Sequence, residues 1–475
     1  MVMDRDLADL AVSTAQDLGV QYAEARIQRS HFLGCLLKNG EGEPAMLSNS
    51  LGLGIRILNR GGLAFGASNN LTRSNVKDMV RSLATSAKAS SKYIKSKVEF
   101  SRETSKTAKW SAEERVNLEG ISYEDLNSSL KEVDNSIIQS NNKIKNRLLS
   151  LSITIQEKYI TNSDGSRIES RVPRVGFFGM LTASEGGSTA QRMLQLGGSG
   201  GWEVEKKLAL NDVCSRESII LGRVLKEAKI SPRGKLDIII GPDVAGIIAH
   251  EHCGHPTEAD RVLGREAAQA GESFLKPNEI ATKIGSDESF VSDDPTIPGS
   301  YGFYLYDDEG VKARKRKLLD GGKVKELLHN RSTAKEFRTR SNGSSRAIGF
   351  DREPIVRMAN TFIEPGDYSV EELFEGVKQG VYIKSFMEWN IDDKRLNGRF
   401  VGLEAYNVVK GKITNMIRDP VLEITTPKLW GSIDARAKDL EFSAASCGKG
   451  DPMQGAPVWT GGPHVRLRGI RLGSR

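Results

Sequence analysis

The segment 236–255 constrains this chain more than any other. Leu236-Asp237-Ile238-Ile239-Ile240 reads as a buried strand, and Gly241-Pro242-Asp243 starts a helix with proline well placed in its first turn. The helix continues through the apolar residues 244–249 and ends in His250-Glu251-His252-Cys253-Gly254-His255. The chain holds six histidines, and three of them lie in these six positions. Composition alone yields the pattern His-Glu-x-x-x-His only about 0.006 times per chain of this make-up. The cluster therefore points to metal chemistry, against the structural alternatives of core histidines or a pH-sensitive surface patch.

The spacing is unusual for such a site. A zinc-binding helix normally presents histidines at i and i+4, with glutamate at i+1 as base. Here the i+4 position from His250 is Gly254, and His255 is at i+5. On an ideal helix these two histidines point about 140° apart. They meet only if the helix bulges by one residue or ends, and Gly254 offers a permissive backbone there. His252 and His255, at i+3, form a rival pair that needs no distortion. Spacing does not choose between them.

The rest of the composition narrows the class. A chain of 475 residues has length for two or three domains and a sizeable core. With 38% hydrophobic and 27% charged residues it is neither membrane-spanning nor disordered. Its 48 glycines, without a collagen period, point to turn-rich β structure. The net charge of +7 is mild, and its densest cationic run, 312–317, follows Asp307-Asp308-Glu309. That pattern reads as a solvated surface, not a nucleic-acid footprint, and an aromatic content of 6% argues against a stacking platform. Cys35, Cys214, Cys253 and Cys447 are widely spaced, as in a reducing compartment. The opening residues lack an apolar signal segment, so a cytoplasmic location with no membrane contact is expected.

Periodicity predicts helices over 4–18, from residue 71 onward, over 123–147 and over 204–228. Short strands are expected at 22–28 and 33–37, and residues 52–58 and 61–66 read as a hairpin around Asn59-Arg60. Residues 88–109 read as a polar loop. Alternation over 147–183, broken by the turn 162–165, predicts a meander. Gly197-Gly198-Ser199-Gly200-Gly201 reads as a linker, and it lacks the lysine of a nucleotide-binding loop. Ser231-Pro232-Arg233-Gly234 supplies a domain boundary. The expected fold is α+β. Residues 1–230 form an α/β domain with helices on a curved sheet, and residues 231–475 form a mostly β domain with an inserted metal-binding helix.

Further blocks carry a family resemblance. His250-Glu251-x-x-Gly254-His255 with Glu258-Ala259-Asp260 resembles the signature of the TldD/PmbA family of zinc peptidases. So do Asp307-Asp308-Glu309-Gly310, His329-Asn330-Arg331, Arg357-Met358-Ala359-Asn360-Thr361 and Ser446-Cys447-Gly448-Lys449. Tyr22-Ala23-Glu24-Ala25-Arg26 and residues 54–71 also fit, so the resemblance spans nearly the whole chain. It is to the TldD branch, which carries the metal motif.

The resemblance implies zinc held by His250, His255 and Cys447, with Glu251 as general base in a metallopeptidase. It further implies unfolded or extended peptides as substrate. The chamber would form with a second subunit, as a homodimer or as a heterodimer with a PmbA-type paralogue. His252 and Cys253 stand where the family often has small apolar residues, and each is a competing candidate ligand. The rival readings are a non-catalytic peptide-binding subunit with a structural metal, a basic nucleic-acid-binding protein, and a metallohydrolase acting on a small amide. Asp307-Asp308-Glu309-Gly310 reads as a turn before a hard-cation site. His464 reads as structural, and His31 and His329 show no partner in sequence. Arg357 and Asn360 read as substrate-contacting or backbone-anchoring groups.

Overall fold

In residues 149–155 every second side chain is apolar, and in the computed structural model this alternation divides one strand between two environments. The structure describes residues 3–141, 143–266 and 271–474. Leu149, Leu151, Ile153 and Ile155 face a core capped by the helices Tyr123–Ser140 and Leu210–Glu227. Thr154, Gln156 and Lys158, on the opposite face, look toward the C-terminal half. The strand, Ile144–Asn162, pairs antiparallel with Tyr22–Lys38 and Arg167–Glu185. Around them an eight-stranded curled sheet is built from residues 22–199. The helices Asp6–Asp17 and Arg73–Ser90 cover a second core on it.

Several local expectations change. The segments 22–28 and 33–37 are one strand, Tyr22–Lys38. Its polar middle lies where the strand passes from one helix-covered core (Ala23, Ala25, Ile27) to the other (Cys35, Leu37). The helix expected over 123–147 ends at Ser140, and Ile144 already begins a strand; residue 142 lies outside the described residues. Residues 204–228 form two helices, Glu203–Leu208 and Leu210–Glu227, split at Ala209, whose φ of 46° is left-handed. Within the expected loop 88–109, helix persists to Ser90 and a strand, Thr107–Ser111, forms at the sheet edge.

The glycine run 197–201 is not a linker. It closes the strand Ser188–Ser199 against neighbouring backbone. A Cβ on Gly198 would stand 2.8 Å from the Gly299 carbonyl oxygen, and one on Gly201 would stand 2.1 Å from that of Val116. The glycines are there for close approach.

The C-terminal half, residues 229–474, carries a ten-stranded sheet and a six-stranded one. Gly234–Ile240 lies inside the larger sheet, between Val465–Ser474 and Gln379–Ile383, which explains its unbroken apolar run. The helix Pro242–Ala249 packs on the smaller sheet against Gln454–Gly462 and Asn360–Ile363.

Buried ion pairs join the two halves. Asp307-Asp308-Glu309-Gly310 is the turn expected, and its carboxylates are fully used. Asp307 accepts backbone N–H groups from Glu309, Val311 and Ser345. Asp308 takes Lys158 at 2.7 and 2.9 Å. Glu309 takes Arg56 at 2.5 Å and the Arg331 N–H at 2.8 Å, and Arg56 also binds Glu24 at 2.9 Å. Arg56→Met leaves Glu24 and Glu309 buried side by side without their cation. Urea unfolding is expected to show a loss of about 3–5 kcal/mol, whereas a loss under ~1 kcal/mol would mean the pair adds nothing to the junction.

Candidate metal centre

The helix that carries the histidine cluster opens by one residue at its end. Over His250–Gly254 the backbone makes a π turn, and the His255 N–H donates to the His250 carbonyl, five residues back. The extra residue turns His255 onto the face of His250. Their rings stand edge to face, with centroids 4.8 Å apart. Gly254 serves this turn by its size and not by backbone freedom. Its φ of −56° is helical, but a Cβ there would lie 2.0 Å from Met358 Sδ.

Cys447 arrives from the other side, on the strand Glu441–Lys449. Its Sγ is 3.5 Å from His255 Nε2. One donor atom each from His250, His255 and Cys447 fall within 4.8 Å of one another, and all three residues are buried. Arg357 anchors the sulfur-bearing hairpin by donating to the carbonyls of Cys447 and Gln454 on its two strands. Asn360 also anchors backbone at Asp294, Gly302 and Trp459, and donates to the Ser300 hydroxyl.

The electrostatics favour a metal. Glu258, fully buried, accepts from His255 Nδ1 at 2.9 Å and from Arg261 at 2.6 Å, with Lys449 at 3.4 Å. Burial pushes the Glu258 carboxyl up, but Lys449, Arg261 and His255 together hold it well below the usual range. With Glu258 ionised, the proton of His255 belongs on Nδ1, which leaves an Nε2 lone pair toward Cys447. Burial raises the Cys447 thiol, yet His255 and Arg357 outweigh it and bring the group down to about 7. Burial keeps His250 and His255 neutral, the latter at about 4. His250 Nδ1 is buried with no hydrogen-bond partner among the described residues. Two neutral imidazoles and a cysteine sulfur are a zinc-type donor set, and tetrahedral Zn–N and Zn–S bonds place N and S roughly 3.5 Å apart. The three residues fit the ion.

Glu251 is placed in the same cavity, but it is not alone there. Arg395 Nη1 donates to Glu251 Oε2, and both groups are buried. No signal in the sequence pointed to Arg395, which sits at a turn with a left-handed φ of 59°. The two competing candidates fall away. His252 points to the opposite side of the helix, where Nδ1 meets Thr426 Oγ1 at 2.6 Å and the ring packs on Phe400. A Cβ on Gly398 would lie 2.1 Å from its Nε2, so that contact requires glycine. Cys253 lies in the apolar core, and burial with Asp293 nearby holds its thiol well above its usual value. The i+3 pair of His252 and His255 is therefore not formed.

A cavity of about 750 Å³ spreads from the cluster. Two strand edges wall it, Glu441–Lys449 and Ser188–Ser199, each paired on one side only among the described residues. Phe386 and Trp389 add aromatic lining. His464 reaches the same cavity, held between Asp439 and Tyr382 at 2.8 Å each. His329 is a buried partner of Thr333, and His31 bonds Asn49 outside the cavity lining.

Burial pulls His252 to about 3, and His255 and His329 to about 4. Unfolded histidine takes its proton near pH 6.5. Between pH 6.5 and 4 the unfolded chain therefore binds protons that the folded chain refuses. The stability from these groups is present above pH 6.5 and is lost as the pH falls toward 4. Urea unfolding of zinc-free protein is expected to show a loss on the order of several kcal/mol between pH 7 and 4.5. Equal stability at the two pH values would contradict neutral, buried imidazoles.

The chain is similar to known proteins along most of its length. Three family models match in order: PmbA/TldA metallopeptidase domain 1 over residues 23–87, its central domain over 76–229 and its C-terminal domain over 233–474. The chain is 32% identical to metalloprotease MJ0996 of Methanocaldococcus jannaschii over 445 residues, covering 94% of this chain and 95% of the relative. It is also 32% identical, over 257 residues, to a zinc metalloprotease TldD homolog of Saccharolobus solfataricus, covering 53% and 55% of the two chains. The fold is shared with the crystal structure of TldE from Thermococcus kodakarensis, with a TM-score of 0.75 at 16% identity, covering 98% of this chain and 100% of that one. The chain belongs to the TldD/PmbA family, the PmbA/TldA metallopeptidases.

Proposed function

We propose that this chain is a zinc-dependent peptidase acting on extended or unfolded peptides. The observation that carries the reading is the convergence of His250, His255 and Cys447 on one point beside Glu251, inside a cavity walled by two strand edges. His250, His255 and Cys447 would hold the ion, and Glu258 fixes the tautomer and aim of His255. When bound, zinc supplies Lewis-acid polarisation of a carbonyl and lowers the pKa of water. Glu251 takes a proton from the attacking water on its carboxylate and returns it to the leaving amine. Arg395 fixes the position of that carboxylate. The strands Glu441–Lys449 and Ser188–Ser199 each have one side outside the ladder among the described residues, and pairing of an extended peptide with such an edge tolerates many sequences.

The reading extends to a chamber closed by a second subunit, either another copy or a PmbA-type paralogue. It also includes a reducing, cytoplasmic setting, in keeping with four buried, unpaired cysteines. One observation favours a second reading. The pairing of Glu251 with Arg395 would suit a peptide-binding subunit whose metal is structural.

Glu251→Gln separates the two. On the proposed mechanism the variant keeps its zinc, and its kcat on an unstructured peptide falls by about 10²–10⁴-fold. Cys447→Ala loses zinc and activity together. Unchanged cleavage by Glu251→Gln would remove the general base from the mechanism. A zinc-loaded wild type that cleaves no peptide would favour the binding subunit.

A further inference from the structure

A second cavity, of about 250 Å³, lies between the outward face of the N-terminal sheet and the C-terminal half. It backs onto the metal-bearing hairpin without sharing its ligands. Ala456, in its wall, is the ladder partner of Cys447.

The charges around this cavity do not balance pair by pair. Lys158 is closed by both oxygens of Asp308. Arg174 and Arg346 also line the cavity, and neither forms an ion pair among the described residues. Arg174 donates only to the carbonyls of Tyr301 at 2.8 Å and Phe303 at 3.3 Å. Arg346 donates to those of Met358 at 2.7 Å and Pro457 at 2.9 Å, with its guanidinium over the Tyr304 ring. Burial and the like charge of Arg346 pull the Arg174 guanidinium down to about 10. Two neighbouring guanidiniums, one buried and one half-buried, with no carboxylate in contact are costly unless an anion joins them. One donor is spare: Trp110 Nε1 is buried with no acceptor among the described residues.

Part of the remaining wall is aromatic. Trp110 packs edge-on to Phe303, and Tyr301, Tyr304 and Tyr306 also line the cavity. A cavity near 150 Å³ is enough for benzene, so this one accommodates a single ring with a small charged group. Asp307 and Asp308 in the wall oppose a dianion such as phosphate. Trp110 stands on the edge strand Thr107–Ser111, half-buried, which puts a short and lightly paired element at the rim.

We propose that this second cavity binds a small carboxylate with a flat, single-ring body, its carboxylate taken by Arg174 and Arg346 and its ring by the aromatic wall. The site is separate from the metal centre and does not depend on peptidase activity. The test is equilibrium dialysis and thermal melting of the full-length chain with benzoate, its uncharged analogue benzamide, and inorganic phosphate. Each is measured with zinc present and after chelation, because a carboxylate also ligates zinc.

Benzoate is expected to bind saturably and to raise Tm, with benzamide and phosphate at least about tenfold weaker. Chelation leaves benzoate binding unchanged, and Arg174→Gln and Trp110→Phe weaken it, the first by about tenfold or more. Should Arg174→Gln not fold, the wild-type comparison of benzoate with benzamide carries the same test. Equal binding of benzamide, no saturable binding of benzoate, or its loss on chelation would each overturn the site.

Discussion

One hydrogen bond, from the His255 N–H to the His250 carbonyl, sets the register on which the metal centre depends. A regular helix would close that carbonyl on Gly254 and send His255 about 140° away from His250. Spanning one residue more keeps both imidazoles on one side, opposite the strand that brings Cys447. The π turn is held from outside. Met358 fills the space that a side chain at residue 254 would need, and the helix before the turn packs on the smaller sheet. Packing thus explains why a glycine with ordinary helical φ occupies this position.

Around the donors the fold spends several buried charges. Lys449 reaches both Glu258 and Asp260, Arg261 closes on Glu258, and Glu258 in turn fixes His255. None of these groups could be buried alone, because each would meet the full cost of leaving water. Together they form a cluster that aims one imidazole and offsets its neighbours' charge. Lys449 comes from the same strand as Cys447, so the sulfur and the cation that supports the opposite histidine move as one piece. The same logic runs through the junction of the two halves, where Arg56 and Lys158 meet the acidic turn 307–309 and Arg331 meets Asp164.

How much was legible in the sequence varied with how local the cause was. The strand 236–240, the helix after Pro242, the hairpin around Asn59-Arg60 and the meander after residue 147 follow from periodicity and turn residues within each segment. They appear where those signals put them. The break at Ala209 has no glycine or proline to announce it, and the polar middle of Tyr22–Lys38 looks like a gap unless the partner cores are known. The run 197–201 misleads for the same reason, since its glycines answer to Gly299 and Val116 across the fold. At the metal centre, spacing left two histidine pairs open, and family resemblance named His250, His255 and Cys447. The geometry brings those three together and turns His252 away. Arg395 stayed invisible because it lies 144 positions from Glu251 and in no motif of its own.

The central claim is a site of two imidazoles and one sulfur, created by the π turn. Zinc K-edge X-ray absorption on the zinc-loaded, full-length chain measures that donor set directly. The account predicts one sulfur neighbour at about 2.3 Å with the remaining nitrogen or oxygen neighbours near 2.0–2.1 Å. Two sulfurs in the shell would bring in Cys253, and none would remove Cys447; either result contradicts the arrangement described.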